Sequence, residues 1–220
     1  MKLARIPVLA IFLSLACCED GHKDRAGSAP PVVNSLKVSA KAGAGLTAAS
    51  REAAAKIAPL IDPEKLATLG KRQGNPRVQK AVAILWDVKR EGGDPAAAAG
   101  EAVRLIGWRD TAKGSLTSEA LLRNLTILER LGATTPQDID RMHHGHAPVV
   151  GKGPYAGDTV SVDHIVPRAV CPELDNVIAN LELMPLRVNQ SKNDKIGDRQ
   201  RDLAGKLQAA GLLADPSKIR

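Results

Sequence analysis

The chain has 220 residues, a formal net charge of +7, and only one Phe, one Tyr and two Trp. This length allows one or two domains with a real hydrophobic core. The scarcity of aromatic side chains argues against the stacking platforms that bind single-stranded nucleic acids. The positive charge suits a polyanionic partner such as nucleic acid, although charge alone does not establish one.

The first 18 residues have the pattern of an export leader. Met1–Arg5 is basic, Ile6–Ala16 is apolar, and Cys17 and Cys18 follow. The apolar run is too short to span a bilayer and is typical of a secretory signal. Its end resembles a bacterial lipobox with Cys18, or Cys17, as the lipid acceptor; an ordinary cleaved signal is the alternative. Both interpretations predict export, either to the periplasm or as an envelope lipoprotein whose membrane contact is the lipid anchor.

Residues 19–45 mix charge, Gly, Ser and Pro, which predicts a flexible linker. Residues 46–143 are instead rich in Ala and Leu and predict a helical bundle. Each expected helix follows a capping residue or a proline. These helices run from Thr47 to Leu60, Asp62 to Gly70, Asn75 to Gly92, Asp94 to Ile106, Thr117 to Leu131 and Thr135 to His143. We find no chemistry in the bundle and expect it to support the residues that follow, with a DNA-docking surface as the alternative.

Three histidines lie at the end of the bundle, namely His143, His144 and His146. Such a tract can bind metal adventitiously. A structural metal site usually has ligands that are more widely spaced and a fourth ligand. We therefore expect no functional metal here, while keeping a histidine-bound metal as the alternative. Residues 151–157 are rich in Gly but are not a phosphate loop, because no strand precedes them and no helix follows.

Residues 157–195 predict a strand, a long loop, a second strand and a helix. Val160 and Val162 alternate with polar residues as in a short, half-buried strand, and Pro167 stops that strand. A second short strand is expected at 181–184, and Pro185 is placed to open a helix. On that helix Asn189 and Lys192 share one face. A final packing helix is expected at about 198–210, so that one domain covers 144–212 and a tail covers 213–220.

Four separated elements of this stretch resemble the HNH nucleases, also called the ββα-metal or His-Me finger group. The matching elements are Asp163-His164 with Pro167, then Asn180-Leu181, and then an N-x-x-K pattern that begins at Asn189. The nine-residue step from Asn180 to Asn189 also agrees with the family. Many members carry CxxC zinc knuckles, whereas Pro185 and Val188 stand here where one CxxC pair would fall. The chain is similar to a variant without zinc, and the agreement in order and spacing makes the signal specific.

The residue types fit the cutting of a phosphodiester, which needs an activated water, neutralised phosphate charge and help for the leaving oxygen. One hard divalent cation supplies the last two and prefers oxygen ligands. The Asp163 carboxylate and the Asn189 amide oxygen are a suitable pair for Mg²⁺, with Mn²⁺ as the alternative. His164 is then free for proton transfer near neutral pH. The resemblance implies the same roles, with hydrolysis to a 5′-phosphate and a 3′-hydroxyl.

Neighbouring residues on a regular strand point to opposite faces, so Asp163 and His164 cannot both reach one phosphate unless the strand ends or twists at this pair. Without the other matching elements, Asp163-His164 would be interpreted as an ordinary pair in which the aspartate closes a loop by bonding to nearby backbone. Asn180, grouped with the catalytic residues, is interpreted as a side chain that ties the long loop and holds His164. Asn176 competes for that role, but only Asn180 has the family spacing.

Arg168, Arg187 and Lys192 are the candidate substrate-binding residues, because their cations suit phosphate oxygens; solvated surface charge is the alternative. The sequence thus predicts an α+β protein, a mostly helical bundle followed by a small ββα nuclease core. The expected partner is nucleic acid, double-stranded DNA first and RNA as the alternative, and no obligate protein partner is evident. Two competing hypotheses are a non-catalytic nucleic-acid-binding module and an envelope lipoprotein whose bundle binds another protein.

Overall fold

The computed structural model describes residues 46–192 and 194–219. The predicted leader at 1–18, with Cys17 and Cys18, and the predicted linker at 19–45 lie outside the described residues. No helix in the described part of the chain combines the length and the apolar character that crossing a membrane requires.

Six helices occupy the first part of the described chain, and most begin where a capping side chain was visible in the sequence. They are α1 (Ala48–Ile61), α2 (Pro63–Ala67), α3 (Gly74–Arg90), α4 (Pro95–Leu105), α5 (Ala112–Leu131) and α6 (Pro136–His143). The side chains of Thr47, Asp62 and Asp94 accept backbone N–H bonds at three of these starts. Such bonds satisfy the free donors of the first turn. The predicted helices are therefore present, although α2 ends at Ala67 rather than near Gly70.

The start of α5 was predicted too late in the chain. Its N-cap is Thr111, whose side chain accepts a bond from Gly114 N at 3.1 Å. Thr117, the predicted cap, is buried inside the helix and donates its hydroxyl proton to Lys113 O at 2.8 Å. A threonine can bond to the carbonyl one turn earlier as well as cap. The sequence signal at Thr117 was therefore ambiguous.

A small antiparallel sheet follows the helices. It pairs β1 (Val160–His164) with β2 (Leu181–Pro185), in a register that places Val160 opposite Pro185 and His164 opposite Leu181. Helix α7 (Leu186–Ser191) leaves β2 directly. The predicted order of strand, loop, strand and helix is thus present, and the described chain is α+β and mostly helical.

The sheet shares one hydrophobic core with the bundle. Buried residues of that core come from the helices, among them Ile57, Leu85 and Leu121, and from the strands, among them Val160 and Leu183. Two strands bury too little apolar surface to be stable alone. The helices therefore supply the apolar contacts that the ββα unit lacks, and the predicted boundary at residue 143 does not separate two cores.

A buried asparagine on α5 joins the bundle to the edge of the sheet. Asn124 Nδ2 donates to Leu181 O at 2.9 Å, and Asn124 Oδ1 accepts from Leu183 N at 2.7 Å. Backbone groups at the edge of a buried strand need partners. The Asn124 amide supplies them in place of a third strand and thereby fixes β2 on α5.

A second, smaller core lies around α8 (Asp198–Ala209). It joins Val166 and Leu174 of the loop between the strands to Leu207 of α8. Leu213 and Ile219, which were assigned to a tail, are also buried in this core. The loop that follows β1 is thus held from one side by the C-terminal residues.

Candidate active site

A cavity of about 280 Å³ lies at the end of β1 and is lined by Asp163, His164, Arg168, Asn189 and Lys192. The strand delivers Asp163 and His164, and Asn189 and Lys192 come from the last turn of α7 and the residue after it. Strand β1 ends at His164, so the alternation of side chains does not keep the pair on opposite sides. Of the six residues predicted for metal binding, substrate binding or proton transfer, five therefore meet at one cavity.

The exception is Arg187, which does not line the cavity. Its side chain is 63% exposed, and its Nε lies 3.5 Å from Asp158 Oδ2. Asp158 also accepts a bond from the backbone N–H of Arg187 at 2.9 Å, at the start of α7. This bond lowers the pKa of the Asp158 carboxyl from its ordinary value. The pair thus fixes the start of the helix that carries Asn189.

The Asp163 carboxylate is nearly buried and is paired with a lysine. Lys192 Nζ contacts Asp163 Oδ2 and also donates to His164 O at 3.0 Å. The contact balances the charge of a carboxylate that would be costly to bury alone. Lys192 was predicted to bind substrate, but in the structure its ammonium contacts Asp163, a predicted metal ligand.

The amide of Asn189 has a defined orientation. Asn189 Nδ2 lies 3.0 Å from Ser161 Oγ, and Ser161 Oγ lies 3.2 Å from Met184 O. The single hydroxyl proton of Ser161 is needed for the carbonyl of Met184, so Ser161 must accept a bond from Asn189. The amide nitrogen is therefore committed to Ser161, and the Asn189 oxygen Oδ1 is left as the atom for another ligand.

His164 is oriented by Asp175, a residue that the sequence analysis did not select. His164 Nε2 lies 2.9 Å from Asp175 O and 3.0 Å from Asp175 Oδ1, with its N–H directed at the carbonyl. Both neighbouring atoms are acceptors, so Nε2 carries the proton in the neutral ring. Nδ1 is then the basic nitrogen, and it has no hydrogen-bond partner among the described residues.

Asn180 closes the loop between the strands. Its Oδ1 accepts from Val166 N at 2.8 Å, and its Nδ2 donates to Val166 O at 3.0 Å and to Leu174 O at 3.4 Å. The side chain is fully buried. Asn176 has a different role, because its amide bonds outward to Gly70 O in the turn before α3 and to Gly74 N at the start of α3. Asn180 thus fixes the loop internally, and Asn176 fixes the loop to the bundle.

An ion cluster centred on the buried Glu182 lies beside Asp163. Glu182 is the cross-strand neighbour of Asp163, and Arg199 of α8 holds it with two bonds of 2.8 and 2.5 Å. Arg123 of α5 lies 3.7 Å from the same carboxylate. Glu182 raises the pKa of Arg199, whereas burial lowers the pKa of Arg123. Since Glu182 is committed to these arginines, Asp163 and not Glu182 is the strand carboxylate that lines the cavity.

Two of the three histidines at the end of the bundle are bonded to acidic residues of the helices. His143 Nε2 bonds to Asp87 Oδ2 at 2.7 Å, and His144 Nδ1 bonds to Asp140 O at 2.9 Å. Within the described residues, no group of three or more His, Cys, Asp or Glu side chains is arranged to hold a metal ion.

The donors at the cavity fit a hard divalent cation. Asp163 offers a carboxylate and Asn189 an amide oxygen, and such oxygens are the ligands that Mg²⁺ prefers. The orientation of Asn189 leaves its oxygen, not its nitrogen, for this purpose. Asp163 already holds a cationic group, the Lys192 ammonium. A cation that keeps most of its waters needs only one or two protein ligands.

Sequence reasoning missed Arg72, Asp175 and Ser161. Arg72 lines the cavity although it is 103 positions from Asp175, to which its backbone is bonded. No pattern in the sequence links residues so far apart. Ser161 could have been found, because it precedes Asp163 by two positions on a strand and so lies on the same face.

Comparison of the chain with protein-family models, with curated proteins and with solved structures found no match.

Proposed function

We propose that the protein is a metal-dependent endonuclease of the HNH type that hydrolyses phosphodiester bonds of DNA. The observation that carries this proposal is the meeting of Asp163, His164 and Asn189 at one cavity, on a ββα unit whose loop is closed by Asn180. The identities and the order of these residues were predicted from the sequence. Their convergence, the proton position on His164 and the orientation of Asn189 add independent support.

In the proposed reaction, His164 acts as the general base. Its Nδ1 removes a proton from a water molecule, and the water oxygen adds to phosphorus. The bond between phosphorus and the 3′ oxygen breaks, leaving a 5′-phosphate and, after protonation from solvent, a 3′-hydroxyl. Asp175 holds the ring through Nε2 during this transfer. A positioned base of this kind contributes about 10²–10⁴-fold to the rate.

Asp163 and Asn189 are the residues that would hold a divalent cation, Mg²⁺ first and Mn²⁺ as the alternative. When bound, the cation neutralises phosphate charge and assists the leaving oxygen. Lys192 and Arg168 add positive charge around the phosphate, and Lys192 is paired with the Asp163 carboxylate. Asn180 acts indirectly, since it fixes the loop that supports the site.

The proposed substrate is double-stranded DNA, and export to the cell envelope remains part of the proposal. Its support is the basic composition and the sequence of residues 1–18. Intact-mass measurement of protein from a bacterial envelope fraction should place the mature N-terminus at or just after Cys17-Cys18. A retained Met1 in a cytosolic pool would contradict export.

No observation specifically supports either of the two competing hypotheses. Binding of another protein by the bundle would be favoured by a broad apolar face on 46–143. Of the large hydrophobic side chains described in that range, Leu105 is the exposed one, at 47%. A non-catalytic nucleic-acid-binding module would not require an imidazole with an unpartnered basic nitrogen beside two oxygen donors.

The proposal is tested with supercoiled plasmid and the purified protein, with and without Mg²⁺ or Mn²⁺. Nicked and linear products that require the metal are expected. Asp163→Ala and Asn189→Ala should each reduce both cutting and Mn²⁺ binding measured by calorimetry. The matched controls His143→Ala and His146→Ala should leave both unchanged. Loss of binding in the histidine variants alone, or no cutting of DNA or RNA by the parent protein, would refute the proposed site.

A further inference from the structure

Arg72 occupies an unusual position in the turn between α2 and α3. Its φ angle is 60°, one of two positive values found at non-glycine residues in the described chain. This left-handed region is unfavourable for a residue with a Cβ, and glycine or asparagine normally fills it. A strained backbone that persists in a fold must be held by its surroundings. The Arg72 side chain, whose position depends on this strained backbone, is therefore a candidate for a functional role.

Two side chains from the loop between the strands hold the turn. Arg72 N donates to Asp175 Oδ2 at 3.0 Å, and Gly74 N donates to Asn176 Oδ1 at 2.9 Å. Asp175 is 8% exposed, and it is the same residue that orients His164. One carboxyl-bearing residue thus contacts both the proposed general base and the backbone of Arg72. The position of Arg72 is fixed relative to His164 through a single residue.

Arg72 lines the cavity, and its guanidinium has no acidic partner among the described residues. The other two cations on the cavity wall are close to carboxylates, since Lys192 contacts Asp163 and Arg168 Nε lies 3.8 Å from Asp175 Oδ1. Asp163 and Asp194 also line the cavity, but neither forms an ion pair with Arg72. The planar, permanently charged group is therefore available to an anion that enters from outside.

We propose that Arg72 is a substrate-binding residue, supplied by the helical part of the chain, that contacts a backbone phosphate of the nucleic acid. The inference rests on the proposed function and extends the site beyond the ββα unit. The bundle then does more than support the nuclease core, because it contributes a cation to the cavity. A phosphodiester oxygen is a suitable partner for this group, because arginine binds such oxygens through one or two N–H donors.

The test separates the side chain of Arg72 from its backbone. Arg72→Gly removes the guanidinium and suits the positive φ, so its melting temperature should equal or exceed that of the parent protein. Its affinity for a short DNA duplex, measured by fluorescence anisotropy in EDTA, should fall about 5- to 30-fold. The slope of log K against log salt should become shallower by about 1, because one phosphate contact is lost. Arg72→Lys should recover most of the slope.

Two control variants separate this effect from changes in backbone strain or total charge. Asp110 has the other positive φ, 56°, and does not line the cavity; because Asp110→Gly removes a negative charge beside Arg109, it should neither weaken the affinity nor make the salt slope shallower. Arg130 is exposed on α5, and Arg130→Ala removes the same charge without touching the cavity. It should change the slope by clearly less than Arg72→Gly.

Unchanged affinity and slope in Arg72→Gly, with DNA cutting by the parent protein intact, would overturn the role of Arg72 and leave the proposed nuclease in place. An equal loss in Arg72→Gly and Arg130→Ala would likewise overturn it, because the effect would then be one of total charge. If the parent protein neither binds nor cuts nucleic acid, the proposed function fails and the inference fails with it.

Discussion

Replacing Asn180 by alanine removes the three hydrogen bonds that close the loop between β1 and β2. Two of them are well formed, at 2.8 and 3.0 Å to Val166, and the third, to Leu174 O, is long at 3.4 Å. Each well-formed bond contributes about 1 kcal/mol net, and a buried N–H left without a partner costs about 1–3 kcal/mol. Since both Asn180 and Val166 are fully buried, water cannot replace the lost partner. We expect a loss of about 2–4 kcal/mol in the free energy of unfolding.

Urea denaturation and thermal melting measure this loss. A change of this size lowers the melting temperature by about 4–16 °C for a domain of this length. Asn180→Asp is a sharper variant, because it keeps the size and the acceptor for Val166 N. Its second oxygen, however, would face the carbonyls of Val166 and Leu174, so it should be destabilised at least as much as the alanine variant. A cavity effect alone would instead spare the aspartate variant.

The matched control is Asn176→Ala, in the same loop. Asn176 is only partly buried, and of its partners Gly70 is exposed and can bond to water, whereas Gly74 is buried at the start of α3. We expect a smaller loss, of about 1–2 kcal/mol. Cutting should fall in Asn180→Ala even at temperatures where the variant is folded, because His164 is bonded to the loop that Asn180 closes. A stability change of Asn180→Ala no larger than that of Asn176→Ala would refute the argument.

Three further predictions follow from the contacts around the site. Asn124→Ala removes the two hydrogen bonds from α5 to the backbone of β2. It should lower the free energy of unfolding, measured in urea, by about 2–4 kcal/mol. A loss under about 1 kcal/mol would contradict the role of Asn124 in fixing β2 on α5. Asp158→Asn should be less stable than the parent protein near pH 7; because the folded state lowers the pKa of Asp158, this difference should disappear as pH falls through and below 3.8. A stability difference between the two proteins that persists at lower pH would refute the lowered pKa of Asp158. Lys192→Met should bind Mn²⁺ about 5-fold more tightly in calorimetry, because the ammonium no longer competes for Asp163, while Lys195→Met should not change the affinity.

The local structure of this chain follows closely from its sequence. Asp94-Pro95 and Thr135-Pro136 each combine a cap with a proline at the first helical position, and α4 and α6 begin there. The alternation at Val160 and Val162 predicted β1, because one face of a short strand must be buried. Thr111 was overlooked as the cap of α5, since no proline follows it and Thr117 offered the same side chain.

The contacts between distant segments did not follow from the sequence. Asp175 gives no local sign of its bond to Arg72 N or of its proximity to His164, because the fold alone brings these groups together. Asn124 likewise reads as an ordinary polar residue in a helix, yet it bonds to β2 at a separation of 57 residues. The residue types of the proposed site could be predicted, but their supports depend on tertiary packing. The left-handed backbone at Arg72 is a further case, since nothing in Lys71-Arg72-Gln73 favours it.

The central claim is that His164 moves a proton and does not hold the metal, and His164→Ala tests it most directly. Single-turnover cutting of plasmid at saturating Mg²⁺ should fall by about 10²–10⁴-fold. Mn²⁺ affinity in calorimetry and duplex affinity in anisotropy should stay close to those of the parent protein, because Asp163 and Asn189 are intact. Near-normal cutting by His164→Ala would show that another group activates the water. Loss of Mn²⁺ binding would make His164 a ligand and contradict the roles assigned to the site.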